Sequence, residues 1–214
     1  QKEMVAQTGA PTYITITSFD NVAETMPGYK AARVGPNLPP VNYDCLMPRN
    51  TTRLIDTAVE CLIAQGRRLT ALRRRLSKEV LSLEPKILQL FMLLTDGDDN
   101  ESKLFEAKDL NKRLQKMRND GGVAMFLAAG QDAVRVGGVY GFGAGHSMTY
   151  TAHGNQAACA MRAASDNLAR AASGSQDTQF SGLQRTLSHA VSAPAGNRTS
   201  TTLVRTPGGI FRGC

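Results

Sequence analysis

KILQLFMLLTDGDDNES, Lys86 to Ser102, is the stretch that decides the fold. From Lys86 to Thr95 apolar residues occupy both odd and even positions, with Gln89 the one polar interruption. Successive side chains of a strand point to opposite faces, so this run leaves no face for water. It predicts a central strand covered by helices front and back. The strand runs into Asp96-Gly97-Asp98-Asp99-Asn100, a polar loop. Gly97 permits a sharp turn. The carboxylates of Asp96, Asp98 and Asp99 raise the local negative potential, and oxygen-rich clusters of this type suit Mg2+ or Ca2+. The D-x-D-x-D-G spacing and closing Glu of an EF-hand are missing.

Working outward, Lys103–Asp120 is expected as a helix with Leu104, Ala107, Leu110, Leu114 and Met117 as its buried stripe, stopped by Gly121 and Gly122. Val123–Ala129 reads as a second buried strand, Ala133–Val139 as a short helix, Ser147–Thr151 as a short strand and Asn155–Ala172 as an alanine-rich helix. Upstream, Ile55, Ala58, Val59, Leu62 and Ile63 line one face of a helix over Thr52–Gln65, with Thr51 or Thr52 as its N-cap. Its pattern continues through Leu69, Leu72, Leu76 and Val80, and Pro85 closes it. Tyr13–Phe19 (YITITSF) reads as a strand, Met26–Val34 as a short edge strand weakened by Pro27 and Gly28, and Gly35–Met47 as loop. This alternation predicts a doubly wound, mostly parallel α/β sheet with helices on both faces over residues 1–172. Such sheets hold ligands at the carboxyl ends of their strands. From Ser173 to Cys214 the composition turns to Ser, Thr, Gly, Ala and Arg, which predicts a basic tail or arm carrying Arg198, Arg205 and Arg212.

The loop after the central strand resembles a family signature. A hydrophobic strand entering T-D-G-x-x-N, here Thr95 to Asn100, is the fourth-strand motif of von Willebrand factor A (VWA) domains. Met47-Pro48-Arg49-Asn50-Thr51-Thr52-Arg53-Leu54-Ile55-Asp56 is similar to the family's loop into its second helix. Phe126-Leu127-Ala128-Ala129-Gly130-Gln131-Asp132-Ala133 resembles the G-x-x-Q-D-A segment of a subgroup found in microbes, phages and large viruses, and Phe19-Asp20 matches that subgroup's F-D. The resemblance spans about residues 1–172. It implies a metal-ion-dependent adhesion site in which Thr52 and Asp96 are ligands of Mg2+, while Asp98 and Asn100 shape its rim. The family's D-x-S-x-S, carried by a first strand in mid-sheet, is absent from the sequence. That strand is expected upstream of Gln1, or its place is filled by another segment. Gln1–Ala10 reads as neither a signal nor a transit peptide.

No G-x-S-x-G, P-loop or strand-borne G-x-G-x-x-G is present. Gly137-Gly138 and Gly141-x-Gly143-x-Gly145 read as a flexible connection. His146, His153 and His189 have no carboxylate or thiol partner by spacing. The expectation is a non-enzyme. With 42% hydrophobic and 20% charged residues the chain can bury one core, and no run of eighteen apolar residues spans a bilayer. Cys45, Cys61, Cys159 and Cys214 are scattered, which predicts free thiols in a reducing environment, in the cytoplasm or within a virus particle. Net charge is +7, and Arg67, Arg68, Arg73, Arg74, Arg75 and Lys78 crowd one helical stretch. No aromatic residue interleaves them, so an acidic protein surface is favoured over nucleic acid. The function these features predict is a protein–protein interaction module, Mg2+-dependent through Thr52 and Asp96. The alternative is a structural component of a large assembly such as a virus particle, with the tail as an arm on neighbouring subunits.

Overall fold

A computed structural model of the chain describes residues 11–41, 51–79, 87–152 and 155–189. The expected loop residues 42–50, His153 and the tail arginines Arg198, Arg205 and Arg212 lie outside the described residues, as do Cys45 and Cys214.

Three strands form a parallel sheet flanked by helices: β5 (Leu90–Thr95), β6 (Val123–Ala129) and β7 (Ser147–Tyr150), in that order. Residue Leu93 pairs with Phe126, and Phe126 with Ser147. The helices are α1 (Leu54–Glu79), α2 (Ala107–Asn119), α3 (Ala133–Tyr140), α4 (Gln156–Ala172) and α5 (Gly182–His189). Strand alternation sorts β6 between two cores. Ala124, Phe126 and Ala128 pack with Leu54, Val59, Leu110, Leu114 and Tyr140 on one face. Met125, Leu127 and Ala129 pack with Met148, Ala160, Ala163, Ala164 and Phe180 on the other.

Several expectations change. Tyr13–Phe19 does not join the parallel sheet: it divides into β1 (Tyr13–Ile14) and β2 (Thr17–Phe19). These pair antiparallel with β4 (Ala32–Arg33) and β3 (Ala23–Thr25), respectively; of the edge strand expected over Met26–Val34 only Ala32–Arg33 is strand, and β3 precedes it. Among the described residues β6, not β5, is the central strand. One face of β5 packs through Leu93, while Met92 and Leu94 on the other are 42% and 39% exposed. Helix α2 starts at Ala107 instead of Lys103, so Leu104 leaves the stripe and is 67% exposed. Its other predicted positions hold: Leu110, Leu114 and Met117 are buried.

The compositional break after Ala172 is not where the folded body ends. Phe180 is buried in the second core, and α5 lies along the outer edge of β7. There the N–H of Thr151 donates to the carbonyl of Ser188 at 3.0 Å, and the Arg185 guanidinium donates to the carbonyls of Ser147, Ala144 and Gly145. The glycines are not a flexible connection either. Gly137 sits inside α3, where a Cβ would meet Phe126 and the Ser147 hydroxyl at 2.8 Å, and Gly141 ends that helix at φ 96°. No described helix is long and apolar enough to cross a membrane.

Candidate functional site

At one end of the sheet the loop following β5 meets both the amino end of α1 and the loop following β6. The first turn of a helix leaves backbone N–H groups without intrahelical partners. In α1 those groups are satisfied from the loop after β5, not from the helix's own flank. The N–H of Thr52 donates to Asn100 Oδ1 at 2.7 Å, that of Ile55 to Asp99 Oδ1 at 3.1 Å and that of Asp56 to Ser102 Oγ at 2.9 Å. The Ser102 hydroxyl donates in turn to Asp99 Oδ1. In the other direction, the N–H groups of Asn100 and Glu101 donate to the carbonyl of Thr52 at 3.0 and 3.1 Å.

Asp56 returns the contact. Its side chain is 2% exposed and accepts from the N–H groups of Lys103, Leu104 and Phe105 at 2.9–3.3 Å. Burial pushes its pKa up, but those three donors and the Arg53 guanidinium, 3.5 Å away, together hold it below the ordinary carboxylate value. This trio of bonds holds residues 103–105, bent at Leu104, outside the helix; α2 starts at Ala107, where the N–H of Glu106 donates to Asp109 Oδ2 at 3.0 Å as in a capping box.

The Gln131-Asp132-Ala133 segment braces the same loop. Gln131 Nε2 donates to the Gly97 carbonyl at 3.2 Å, and Asp132 caps α3 by accepting from the N–H groups of Val134 and Arg135. Thr149 Oγ1 bridges, donating to the carbonyl of Gln131 and accepting from the N–H of Ala133. Phe19-Asp20 joins through the Asp20 carbonyl, which accepts from the N–H of Arg53 at 2.8 Å. Burial raises the pKa of Tyr150, and the Asp96 carboxylate raises it further. Burial likewise raises that of Tyr140; a hydrogen bond to the Asp99 main chain opposes this, while the charges of Asp99 and Asp98 add to it.

Of the sequence-predicted residues, Thr52, Asp96, Asp98 and Asn100 are thus brought to one end of the sheet. Asn100 spends its side-chain oxygen on Thr52. Asp96 and Asp98 are exposed, and their carboxylates make no hydrogen bond or ion pair among the described residues; nor does the Thr52 hydroxyl. Neither Thr52 nor Asp96 acts as a helix cap. Arg67, Arg68, Arg73, Arg74 and Arg75 lie elsewhere, on the far half of α1. Asp99, Ser102, Gln131, Thr149, Tyr140 and Tyr150 were not singled out as site residues. Asp99 had a signal as one of the loop's carboxylates, Ser102 as the last residue of the quoted stretch and Gln131 in the Q-D-A motif; Thr149, Tyr140 and Tyr150 had none.

Oxygen donors not consumed by other bonds fit a hard cation in kind. They fall short in number, because no group of three or more His, Cys, Asp or Glu side chains able to hold a metal gathers among the described residues. His146 bonds through Nε2 to the Thr178 hydroxyl at 2.9 Å; burial, Arg118 and Arg185 lower its pKa. Cys61 is a half-buried thiol whose pKa burial raises, and Cys159 is buried. No family model, curated protein or solved structure matches the chain.

Proposed function

We propose that the chain is a non-catalytic protein-recognition module of the VWA type, with the loops at the carboxyl ends of β5 and β6 as its binding surface. One observation carries this reading. The four stretches on which the VWA resemblance rests, at Phe19-Asp20, Thr51–Asp56, Thr95–Ser102 and Gln131–Ala133, are hydrogen-bonded to one another at one end of the sheet. A rigid loop cluster that leaves Asp96, Asp98 and the Thr52 hydroxyl unspent is suited to present oxygen ligands outward. Asp96 and Thr52 would hold Mg2+, and the ion would supply a position for an acidic group of a partner. The remaining ligands must come from a segment bearing D-x-S-x-S, which this sequence does not contain.

Titration calorimetry of Mg2+ and Mn2+ into the protein, with any residues that precede Gln1 in place, tests the reading beside an Asp96→Ala variant. The expected result is saturable binding that the substitution abolishes without shifting the melting temperature. Wild-type protein that binds neither ion would reduce the loop cluster to scaffold.

A further inference from the structure

The half of α1 beyond Gln65 stands outside the sheet. At its amino end α1 is bonded to the loop that follows β5, whereas Gln65 Nε2 already reaches the carbonyl of Leu90, the first residue of β5. The helix therefore runs antiparallel to β5 and has passed its start by Gln65. Residues 66–79 project further, about 21 Å of helix at 1.5 Å per residue. Leu69, 9% exposed, is the last buried residue on it among the described residues.

On this projecting half Arg67, Arg68, Arg73, Arg74 and Arg75 are all exposed, and no acidic residue lies between Glu60 and Glu79. At 100° per residue, Arg67 and Arg74 share one row, opposite the stripe of Leu62, Leu69, Leu72 and Leu76, while Arg68 and Arg75 flank that stripe on one side and Arg73 on the other. Arg68 also donates to Thr15 Oγ1 at 2.6 Å; none of the five makes an ion pair among the described residues. Around the arginines the exposed residues are Thr70, Ala71 and Ser77, so the face has no apolar centre.

We propose that this arginine face binds the phosphate backbone of B-form duplex DNA. Protein–protein interfaces also enrich arginine, but they set it beside buried aromatic or aliphatic anchors; this face has none, so the acidic protein surface expected from the sequence gives way to a phosphate polyanion. Interfaces with nucleic acid are polar and strongly basic. The guanidinium fork matches phosphate oxygens in pairs. A helix free on its basic side has the diameter to enter the major groove of B-DNA, about 12 Å wide, whereas the deep, narrow groove of A-form RNA excludes it. Without aromatic side chains for stacking, single strands gain nothing from this face. The proposal is independent of any metal at the loop cluster.

Fluorescence anisotropy of the whole chain with labelled duplex DNA, duplex RNA, single-stranded DNA and poly-glutamate, over a range of salt, tests it. Duplex DNA is expected to bind tightest, with affinity falling steeply as salt rises. Arg67→Gln/Arg74→Gln/Arg75→Gln removes three of the phosphate contacts, so the slope of log K against log salt should flatten by about 2.7, or ~0.9 per contact. A control with the same charge loss elsewhere, Lys112→Gln/Arg113→Gln/Arg135→Gln, should bind as the parent does. Equal loss in both variants, unchanged binding by the first, or tighter binding of poly-glutamate, single strands or duplex RNA would each overturn the proposal.

Discussion

Asp56 is a charged side chain almost wholly removed from water, and its place is explained by what it accepts. Three successive main-chain N–H groups, from Lys103 to Phe105, end on its carboxylate. Asp56→Ala would bury those donors without partners and is expected to cost about 2–4 kcal/mol in urea denaturation. The sign of its pH dependence follows from the lowered pKa. A carboxyl depressed in the folded state binds fewer protons there than in the unfolded chain. Its stabilisation is full above the unfolded value of about 3.9 and is lost as pH falls through the lower folded value. Denaturation midpoints measured from pH 5 down to pH 2 should therefore fall less steeply in the Ala variant than in the parent. Gly141→Ala has a different origin. The residue has φ 96°, and a Cβ would lie 2.8 Å from the Asn111 Cα, so strain and collision together should cost about 2–4 kcal/mol. A melting temperature within a degree of the parent would sink that account. At this scale the site was legible only where residues sat in a quoted motif. Thr52 and Asp96 were found so, and Asp56 was met as the motif's last residue. Asp99 and Ser102 lay in the quoted loop, yet their capping role was not legible, because the helix they cap precedes them by more than 40 residues. Local spacing reveals only a helix's own flanking cap.

Helix α5 shows how an element can fold into the body from a sequence that reads as tail. The stretch from Ser173 offers few apolar residues, and the compositional rule sees only that. Docking rests instead on one aromatic, Phe180, on the Arg185 guanidinium spread over three carbonyls, and on the Thr151–Ser188 backbone bond. These partners lie about 35 to 40 residues upstream and leave no periodic trace. Phe180→Ala should lower stability by about 3 kcal/mol, the range for an aromatic lost from a core. It should also speed proteolysis between Ser175 and Ser181; unchanged cleavage would mean that α5 is held without Phe180. Where periodicity is strong the sequence was legible almost to the residue. Val123–Ala129 is the strand expected, and the predicted helices over 133–139 and 155–172 are off by one residue at an end. Where short polar contacts decide the boundary it was not. Asp56 holds 103–105 outside the helix that Glu106 and Asp109 cap, and the predicted strand Tyr13–Phe19 breaks at Thr15-Ile16, where Ile16 exchanges backbone bonds with Tyr29 and Met26.

Across the whole molecule the two edges of the parallel sheet are treated unequally. The β7 edge is covered by α5, which bonds the carbonyl of Ser147 through Arg185 and the N–H of Thr151, just past the strand, through the Ser188 carbonyl. The β5 edge pairs with no further strand among the described residues. One side of β5 presents Met92 and Leu94 to solvent, beside a second core that begins only at β6. The run Lys86–Thr95 was read as a central strand because both its faces are apolar, and that composition is the reason its present exposure is costly. An open edge backed by exposed apolar side chains is a template for another strand. In the proposed VWA reading the D-x-S-x-S strand lies in mid-sheet, and β5 is the open position it would take. A chain without that strand is left with the edge itself. Sedimentation velocity of the 214-residue chain is expected to show association that grows with concentration. Met92→Lys/Leu94→Lys, which places lysines on an exposed edge, should abolish that association while changing the urea midpoint by no more than about 0.5 kcal/mol. A double variant that unfolds at much lower urea than the parent would instead mean that this face of β5 is already covered from within the chain.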